Sequence, residues 1–173
     1  MNVVKDPDNL RSQRLGQMIR QYEKDLLRIC CMYLKDVSLA EDAVQETFLK
    51  AYRRMETFRG ESSEKTWLIS IAVNVCRDMR RGSWFRHIDQ TVDLNALQIS
   101  AEAISDTKIA LMQEIMRLPR REMEAVLLYY YADLPIRETA RTLHISEPAV
   151  SRRLTRARHM LKDALKGGAA DET

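Results

Sequence analysis

Apolar residues recur at every third or fourth position along most of this 173-residue chain. This spacing is the period of an amphipathic α-helix, and no segment shows the sustained alternation of apolar and polar residues that marks a half-buried strand. Glycine and proline seldom interrupt the periodic segments. The sequence therefore predicts an all-α protein.

The periodicity divides the chain into two small helical domains. Helical segments fill residues 15–82, and a second helical cluster fills residues 106–166. Residues 83–105 are mixed and polar, and they would be long for an internal loop, so we interpret them as a flexible linker. Residues 1–14 are interpreted as an N-terminal extension and residues 167–173 as a disordered tail.

The composition bears on two questions, which kind of partner the protein binds and where in the cell it works. The net charge of +3 is too small to indicate a polyanion partner by itself, so that argument depends on where the charges lie. No segment approaches the roughly 20 consecutive apolar residues that span a bilayer, and the N-terminus lacks the apolar core of a secretory signal. The protein is predicted to be cytoplasmic and not itself a membrane protein.

The cysteines and histidines suggest no catalytic chemistry. Cys30, Cys31 and Cys76 lack CxxC spacing, and the three histidines lie far apart in the sequence. This pattern predicts no metal site and no cofactor, and the thiols are expected to be buried or inert. An enzyme or a thiol-based sensor remains a rival hypothesis, but no general base, metal site or phosphate-binding loop supports it.

Three helices are predicted in the first domain. The first carries an apolar stripe from Ile19 to Tyr33 and ends near Asp36. The second is predicted to begin at a capping box formed by Ser38 and Glu41. The third is the segment "TWLISIAVNVCRDMRR", whose outward face carries Ser70, Asn74, Arg77 and Arg81.

The segment "HISEPAVSRRLTRARHMLK", residues 144–162, predicts the second helix of a helix-turn-helix. Ser146 is a good N-cap, and Pro148 suits the first turn. A shorter helix can start at Pro135, and a tight turn separates the two, with Ala140 small where they approach. The second domain is therefore predicted to contain a helix-turn-helix.

The outward face of this last helix is basic. It carries Arg152, Arg156 and His159, and acidic residues are scarce until Asp163. A recognition helix enters the major groove, where arginine binds guanine with two hydrogen bonds and neighbouring cations neutralise phosphates. The face is therefore predicted to contact DNA.

Three segments together resemble the extracytoplasmic-function (ECF) group of bacterial sigma factors. They are "DAVQETFLKAY", "TWLISIAVNVCRD" and "ETARTLHISEPAVSRRLTRAR", in that order, with the linker before the last. The resemblance implies an RNA polymerase sigma factor that directs core RNA polymerase to promoter DNA, assists promoter opening and catalyses nothing itself. It also implies regulation by an anti-sigma factor, which in this family is often membrane-bound.

The resemblance also assigns the site residues. The core-polymerase-binding surface comprises Asp42, Gln45, Glu46 and Leu49. The minus-ten element is assigned to Phe58, Arg59, Gly60, Ser62, Ser63, Asn74, Arg77, Arg80 and Arg81. Trp67 resembles a base-stacking platform, but its position beside the inward-facing residues of its helix favours the core. The minus-thirty-five element is assigned to Ser151, Arg152, Arg153, Thr155, Arg156 and Arg158, of which Arg153 and Arg158 suit phosphates or fold contacts.

The chain departs from the family pattern at three points in the second domain. His144 stands at a turn where glycine is common, Pro148 and Ala149 replace a common glycine-threonine pair, and Pro135 stands where a serine or threonine cap is usual. An alternative hypothesis is a stand-alone repressor or activator that binds duplex DNA without polymerase. Such a regulator is usually a dimer, and the sequence shows no dimerising coiled coil.

Overall fold

The computed structural model describes residues 6–82 and 105–168, in which every regular element is a helix. The helices are α1 (Pro7–Leu34), α2 (Val37–Arg54), α3 (Glu64–Arg81), α4 (Asp106–Arg117), α5 (Arg120–Val126), α6 (Ile136–Leu143) and α7 (Glu147–Gly168). A 3-10 turn, Met55–Thr57, follows α2, and a π turn, Leu127–Tyr131, extends α5. The prediction of an all-α fold is confirmed, whereas most of the predicted linker lies outside the described residues.

Helices α1, α2 and α3 pack against one another and form the first domain. Their buried stripes follow the helical period of the sequence, as Leu26 on α1, Val44 on α2 and Leu68 on α3 illustrate. Helix α1 begins at Pro7, earlier than the predicted domain start at residue 15, because the Asp6 carboxylate accepts a hydrogen bond from the Asp8 amide.

The N-cap of helix α2 lies two residues before Ser38, the predicted cap. Asp36 is the N-cap, and its carboxylate accepts a hydrogen bond of 2.8 Å from the Leu39 amide. Ser38 therefore lies inside the first turn, with its side chain exposed. The prediction of Ser38 as the cap was wrong because Lys35, in the left-handed conformation, ends α1 early and brings Asp36 into the cap position.

Replacing Asp36 with alanine tests this assignment. We expect Asp36→Ala to lower the free energy of unfolding by about 1 kcal/mol, because the Leu39 amide loses its acceptor. Ser38→Ala is the matched control, and it should change stability by less than about 0.5 kcal/mol. Urea denaturation of both variants measures the difference, and an equal loss in the two would contradict Asp36 as the cap.

Helices α4 to α7 form the second domain, and α7 packs against α4, α5 and α6. Val150, Leu154 and Ala157 are the fully buried residues of α7, and Leu161 on the same stripe is half-buried against the core. The Ser146 hydroxyl accepts a hydrogen bond of 3.3 Å from the Ala149 amide, as expected for the predicted N-cap. The predicted helix-turn-helix is therefore formed by α6 and α7.

The turn between α6 and α7 accommodates His144 at the position where the resemblance implies glycine. His144 adopts the left-handed conformation with φ 55°. Two backbone hydrogen bonds close the turn: His144 donates to the Arg141 carbonyl at 3.2 Å, and Ile145 donates to the Ala140 carbonyl at 3.0 Å. These bonds satisfy the last carbonyls of α6 and offset the strain of a non-glycine residue.

The three cysteines are free and fully buried, as the sequence predicted. Burial raises the pKa of Cys31 to about 12. The pKa of Cys30 is also raised, by a hydrogen bond with Cys76 and by burial. Thiols with such pKa values stay protonated at neutral pH, so they are poor nucleophiles and poor metal ligands.

In residues 6–82 and 105–168, every helix is too short or too polar to span a bilayer. Within the same two ranges, no three histidine, cysteine, aspartate or glutamate side chains lie close enough together to hold a metal ion.

Candidate DNA-binding and polymerase-binding surfaces

The exposed face of α2 combines acidic side chains with one apolar side chain. Asp42, Gln45 and Leu49 are exposed, and Glu46 is half-buried with its carboxylate 3.9 Å from the Lys50 ammonium group. Leu49 is 51% exposed, the largest value among the exposed large apolar residues of the described ranges. Because Val44 and Phe48 occupy the buried face, the fold does not require Leu49 for packing, and the surface suits a basic, partly apolar helix of a partner.

The loop between α2 and α3 forms one wall of an open cavity of about 330 Å³. Phe58 stacks on Trp67 with ring centroids 4.7 Å apart. Trp67 is half-buried and packs against the core as predicted, but it also lines this cavity. The other lining residues are Thr57, Arg59, Glu61 and Ser62 from the first domain and Glu138 and Arg141 from the second.

Two residues of this loop have structural roles. Gly60 has a φ of 72°, a conformation that favours glycine, and a side chain there would meet open space. The Ser63 hydroxyl caps α3 by accepting a hydrogen bond of 3.0 Å from the Thr66 amide. The loop is thus shaped by Gly60 at its tip and by Ser63 where α3 begins.

Arg14 on α1 holds both ends of the loop, a role that sequence reasoning missed. Its guanidinium donates two hydrogen bonds to Glu64 Oε1, from Nε at 3.2 Å and from Nη2 at 2.9 Å. The same guanidinium lies 5.7 Å from the centre of the Phe58 ring. Arg14 therefore links the first residue of α3 to the aromatic residue that opens the loop.

Replacing Arg14 with alanine should loosen the loop without unfolding the domain. We expect Arg14→Ala to weaken binding to minus-ten single strands by about 0.5–1 kcal/mol, the value of an exposed cation–π contact, or roughly two- to fivefold. Stability should fall by less than about 1 kcal/mol because the ion pair is partly exposed.

The matched control for Arg14 is another arginine of the same helix. Arg20→Ala removes the same charge from an exposed position of α1. Fluorescence anisotropy with a labelled oligonucleotide compares the two variants. Equal weakening by both would show that Arg14 acts through net charge and does not position the loop.

Asn74, Arg77 and Arg81 line one side of a second open cavity, of about 280 Å³. Arg80 is separate from them: its guanidinium lies 5.7 Å from the centre of the Tyr33 ring and donates to the Tyr33 carbonyl at 3.5 Å. The helix therefore brings together three of the four α3 residues assigned to the minus-ten element.

Two cations from α2 complete this cavity and were not among the predicted site residues. Lys50 and Arg54 lie one helical turn apart and line it, together with Asp78 from α3 and His144 from the second domain. The only sequence signal for them is the change from acidic to basic residues along α2, from Asp42 to Arg54. A cavity with an amide and several cations suits a nucleotide base with its flanking phosphates.

The exposed face of α7 carries most of the residues assigned to the minus-thirty-five element. Exposed side chains belong to Ser151, Arg152, Thr155, Arg156 and Arg158. Arg153 is different: its side chain is 20% exposed and its Nη1 lies 4.0 Å from Glu124 Oε2. Arg153 therefore makes a fold contact, one of the two roles expected from the sequence.

Arg156 is oriented by a buried acid of α5. Its Nη1 donates a hydrogen bond of 3.1 Å to Glu122 Oε1, and the Glu122 side chain is 5% exposed while that of Arg156 is 72% exposed. Glu122 was not predicted, because only the tertiary fold brings α5 beside α7. The pair holds the Nη1 nitrogen of the guanidinium, while most of the Arg156 side chain stays exposed.

Comparison with known proteins identifies the family of the chain. Residues 18–86 match the family model described as Sigma-70 region 2, and residues 108–161 match Sigma-70, region 4. The chain is 32% identical over 164 residues to the ECF RNA polymerase sigma factor SigM of Bacillus subtilis, covering 91% of this chain and 99% of that protein. The chain belongs to the ECF sigma factors. A second relative, ECF RNA polymerase sigma factor SigM of Mycobacterium tuberculosis, is 30% identical over 145 residues, covering 84% of this chain and 74% of that protein.

Solved structures show the same fold at lower identity. The sigma factor RpoE in complex with the anti-sigma factor NepR from Bartonella quintana superposes on this sigma factor with a TM-score of 0.69 at 22% identity, covering 89% of this chain and 98% of that one. CnrH in complex with the cytosolic domain of CnrY gives 0.65 at 21% identity, covering 90% of each chain.

The membership establishes the general activity. This sigma factor directs RNA polymerase in transcription initiation and has a DNA-binding region 4. Sigma factors are generally non-catalytic transcription factors.

Proposed function

We propose that three separate surfaces of this ECF sigma factor divide the work of promoter recognition. The observation that carries the proposal is their arrangement: the acidic face of α2, the aromatic and amide cavities beside α3, and the arginine face of α7 occupy different elements. The surfaces share no residues, so binding at one does not use the groups of another. Tethering to one polymerase raises the effective concentration of each weak contact.

The α2 face docks on core RNA polymerase. Asp42 and Glu46 supply negative charge for steering and register, and Leu49 supplies apolar area near the centre of the contact. The buried face of the same helix is held by the first-domain core, so the contact surface is rigid before binding. A rigid surface loses little entropy on association.

The first domain binds the opened strand of the minus-ten element. Unstacked bases need a replacement for their stacking and partners for their hydrogen bonds. The Phe58–Trp67 wall of one cavity can supply the stacking, and the Asn74 amide of the other cavity can supply hydrogen bonds. Arg77 and Arg81 bind the adjacent phosphates. Because these contacts exist only with melted DNA, binding shifts the equilibrium towards the open promoter.

The α7 face reads the minus-thirty-five element in duplex DNA. Arg152 and Arg156 reach base edges in the major groove, and Ser151 and Thr155 lie beside them. Arg158 lies at the flank and suits phosphate contacts. Arg153 supports the helix from inside through Glu124.

The matched structures also support a proposal about how this sigma factor is regulated and where it works. The matched structures of RpoE and CnrH are complexes with the anti-sigma factor NepR and with the cytosolic domain of CnrY. We infer that this sigma factor is likewise held by an anti-sigma partner. It works in the cytoplasm, where RNA polymerase is found, and it catalyses no reaction itself.

In vitro transcription tests the proposal. The purified chain is mixed with core RNA polymerase and genomic fragments, and transcripts that start only in its presence are sequenced. We expect a shared pair of upstream elements among the new starts. The absence of polymerase binding and of new starts from a folded sample, with specific duplex binding retained, would favour the stand-alone regulator.

A single substitution links these starts to the first domain. Asn74→Ala should reduce transcription from linear templates. The open complex should lose about 1–3 kcal/mol of stability, because an unpaired base loses its hydrogen-bond partner. The effect should be smaller on templates whose minus-ten element is already unpaired, because melting no longer depends on capture of that base. Gln17→Ala is the matched control, since it removes an exposed amide from α1. Equal loss in both variants would remove Asn74 from base capture.

A further inference from the structure

One buried carboxylate of the second domain is bound by groups of the first domain. The Glu124 side chain on α5 is 3% exposed. The Tyr33 hydroxyl on α1 donates a hydrogen bond to Glu124 Oε1, and the Arg77 Nε on α3 lies 3.6 Å from the same oxygen. Glu124 is thus one point at which the two domains are joined.

This acid depends on those partners. Arg120 and Arg153 of its own domain lie 3.8 Å and 4.0 Å from the carboxylate, at the outer limit for ion pairs. A buried carboxylate is stabilised when hydrogen bonds and opposite charges replace water. Burial raises the pKa of Tyr33, and the hydrogen bond to Glu124 raises it further, so the phenol remains a donor.

A second set of contacts places the helix-turn-helix against α3. The Ser70 and Thr142 hydroxyl oxygens are 3.4 Å apart, and Arg77 Nη1 donates to the Thr142 carbonyl at 3.4 Å. His144 borders the cavity that Asn74 and Arg77 line. Glu138 and Arg141 border the cavity of the loop between α2 and α3, called here the minus-ten loop. The second domain therefore walls both cavities assigned to the opened strand.

This closed arrangement cannot read a promoter. The minus-ten and minus-thirty-five elements are about 25 base pairs apart, which is roughly 85 Å at 3.4 Å per base pair. The α6 helix, which precedes the reading helix α7, instead touches α3, which carries Asn74. The two domains must separate before both elements are bound.

We propose that the free sigma factor masks its own minus-ten surface, and that Glu124 acts as an internal competitor of the DNA strand for Arg77. This inference rests on the proposed minus-ten role of the first domain. Carboxylate and phosphate are both oxyanions that bind a guanidinium, so occupation of Arg77 by one excludes the other. Core polymerase and promoter DNA favour the open state and release the strand-binding surface.

A disulfide across the contact tests the masking directly. Ser70→Cys and Thr142→Cys are introduced together in the full chain, because their hydroxyl oxygens are already 3.4 Å apart. The native cysteines are buried and do not compete for oxidation. The two single substitutions are the matched controls, and the same sample is assayed oxidised and after reduction.

The free protein is expected to form the engineered disulfide readily. The oxidised form is expected to lose both binding of a minus-ten single-stranded oligonucleotide and transcription with core polymerase, and reduction is expected to restore both. Failure of the free protein to form the disulfide would overturn the closed state. Full oligonucleotide binding by the oxidised form would overturn the masking. If the reduced and wild-type proteins both failed to bind the oligonucleotide and to support transcription, the proposed function would be contradicted. Disulfide formation would still show whether the two domains are in contact.

A second variant weakens the contact without touching a DNA-binding residue. Tyr33→Phe removes the hydroxyl that binds Glu124 and keeps the ring in the core. If the open state is roughly a tenth of the population, complete opening would raise the apparent affinity for the oligonucleotide about tenfold. We expect the free Tyr33→Phe protein to bind at least about threefold more tightly than wild type. Unchanged or weaker binding by a folded Tyr33→Phe protein would overturn Glu124 as the internal competitor.

Discussion

Alanine at Arg152 and Arg156 is expected to abolish discrimination of the minus-thirty-five element. Each arginine that binds a guanine with two hydrogen bonds contributes about 1–3 kcal/mol of discrimination. Both side chains are exposed on the same face of α7. Binding of the polymerase holoenzyme to the cognate element and to base-substituted elements measures the ratio, which should approach one in the double variant.

The two single variants should differ in stability. Arg156→Ala leaves the buried Glu122 carboxylate without its ion-pair partner, so we expect a loss of about 1–3 kcal/mol in the free energy of unfolding. Adding Glu122→Gln should recover that stability without recovering discrimination. Arg152→Ala should leave the melting temperature unchanged.

Arg158→Ala is the control for sequence reading. This side chain lies at the flank of α7, where contact with phosphates is expected, so its loss should weaken binding to all sequences equally. A drop in discrimination with Arg158→Ala as large as that with Arg152→Ala would contradict the assignment of base reading to the central arginines.

A negative charge at Leu49 is expected to uncouple this sigma factor from core RNA polymerase. Leu49→Asp removes the apolar centre of the α2 surface and adds a charge that would be desolvated on binding, so the loss should reach at least about 2 kcal/mol, or roughly 30-fold in affinity. The melting temperature should not change, because Leu49 is 51% exposed. Analytical ultracentrifugation with core polymerase measures the dissociation constant.

Leu10 provides the matched control for Leu49. It is an exposed leucine of α1 in the same domain, 44% exposed. Leu10→Asp should leave polymerase affinity within about twofold of wild type, since a surface substitution outside a contact typically has little effect. Equal loss from both substitutions would move the docking surface away from α2.

The helices and their buried faces could be predicted from the sequence because each depends on local spacing. Val150, Leu154 and Ala157 follow one stripe of a regular helix, and burial of that stripe requires no knowledge of the partner helix. The start of α2 was misplaced because Asp36 and Ser38 are both good caps. The choice between them is made by the end of α1, a feature that residue preference alone does not contain.

The contacts between distant residues could not be predicted. Arg14 meets Glu64 across 50 positions of sequence, and Tyr33 meets Glu124 across 91. Such pairs are selected by the packing of helices, and a periodic pattern records only which face is buried. The surfaces of α2 and α7 were easier to assign, because a short run within one helix carries most of each surface.

The anchoring of the minus-ten loop has a consequence for the evolution of promoter choice. Arg14 and the Ser63 cap hold the ends of the loop, whereas Arg59, Gly60 and Glu61 between them are exposed. Exchange of the exposed side chains therefore leaves the core of the domain intact. A duplicated copy of such a gene can acquire a new set of promoters through a few substitutions in this loop, and loops grafted from relatives offer a route to orthogonal transcription circuits.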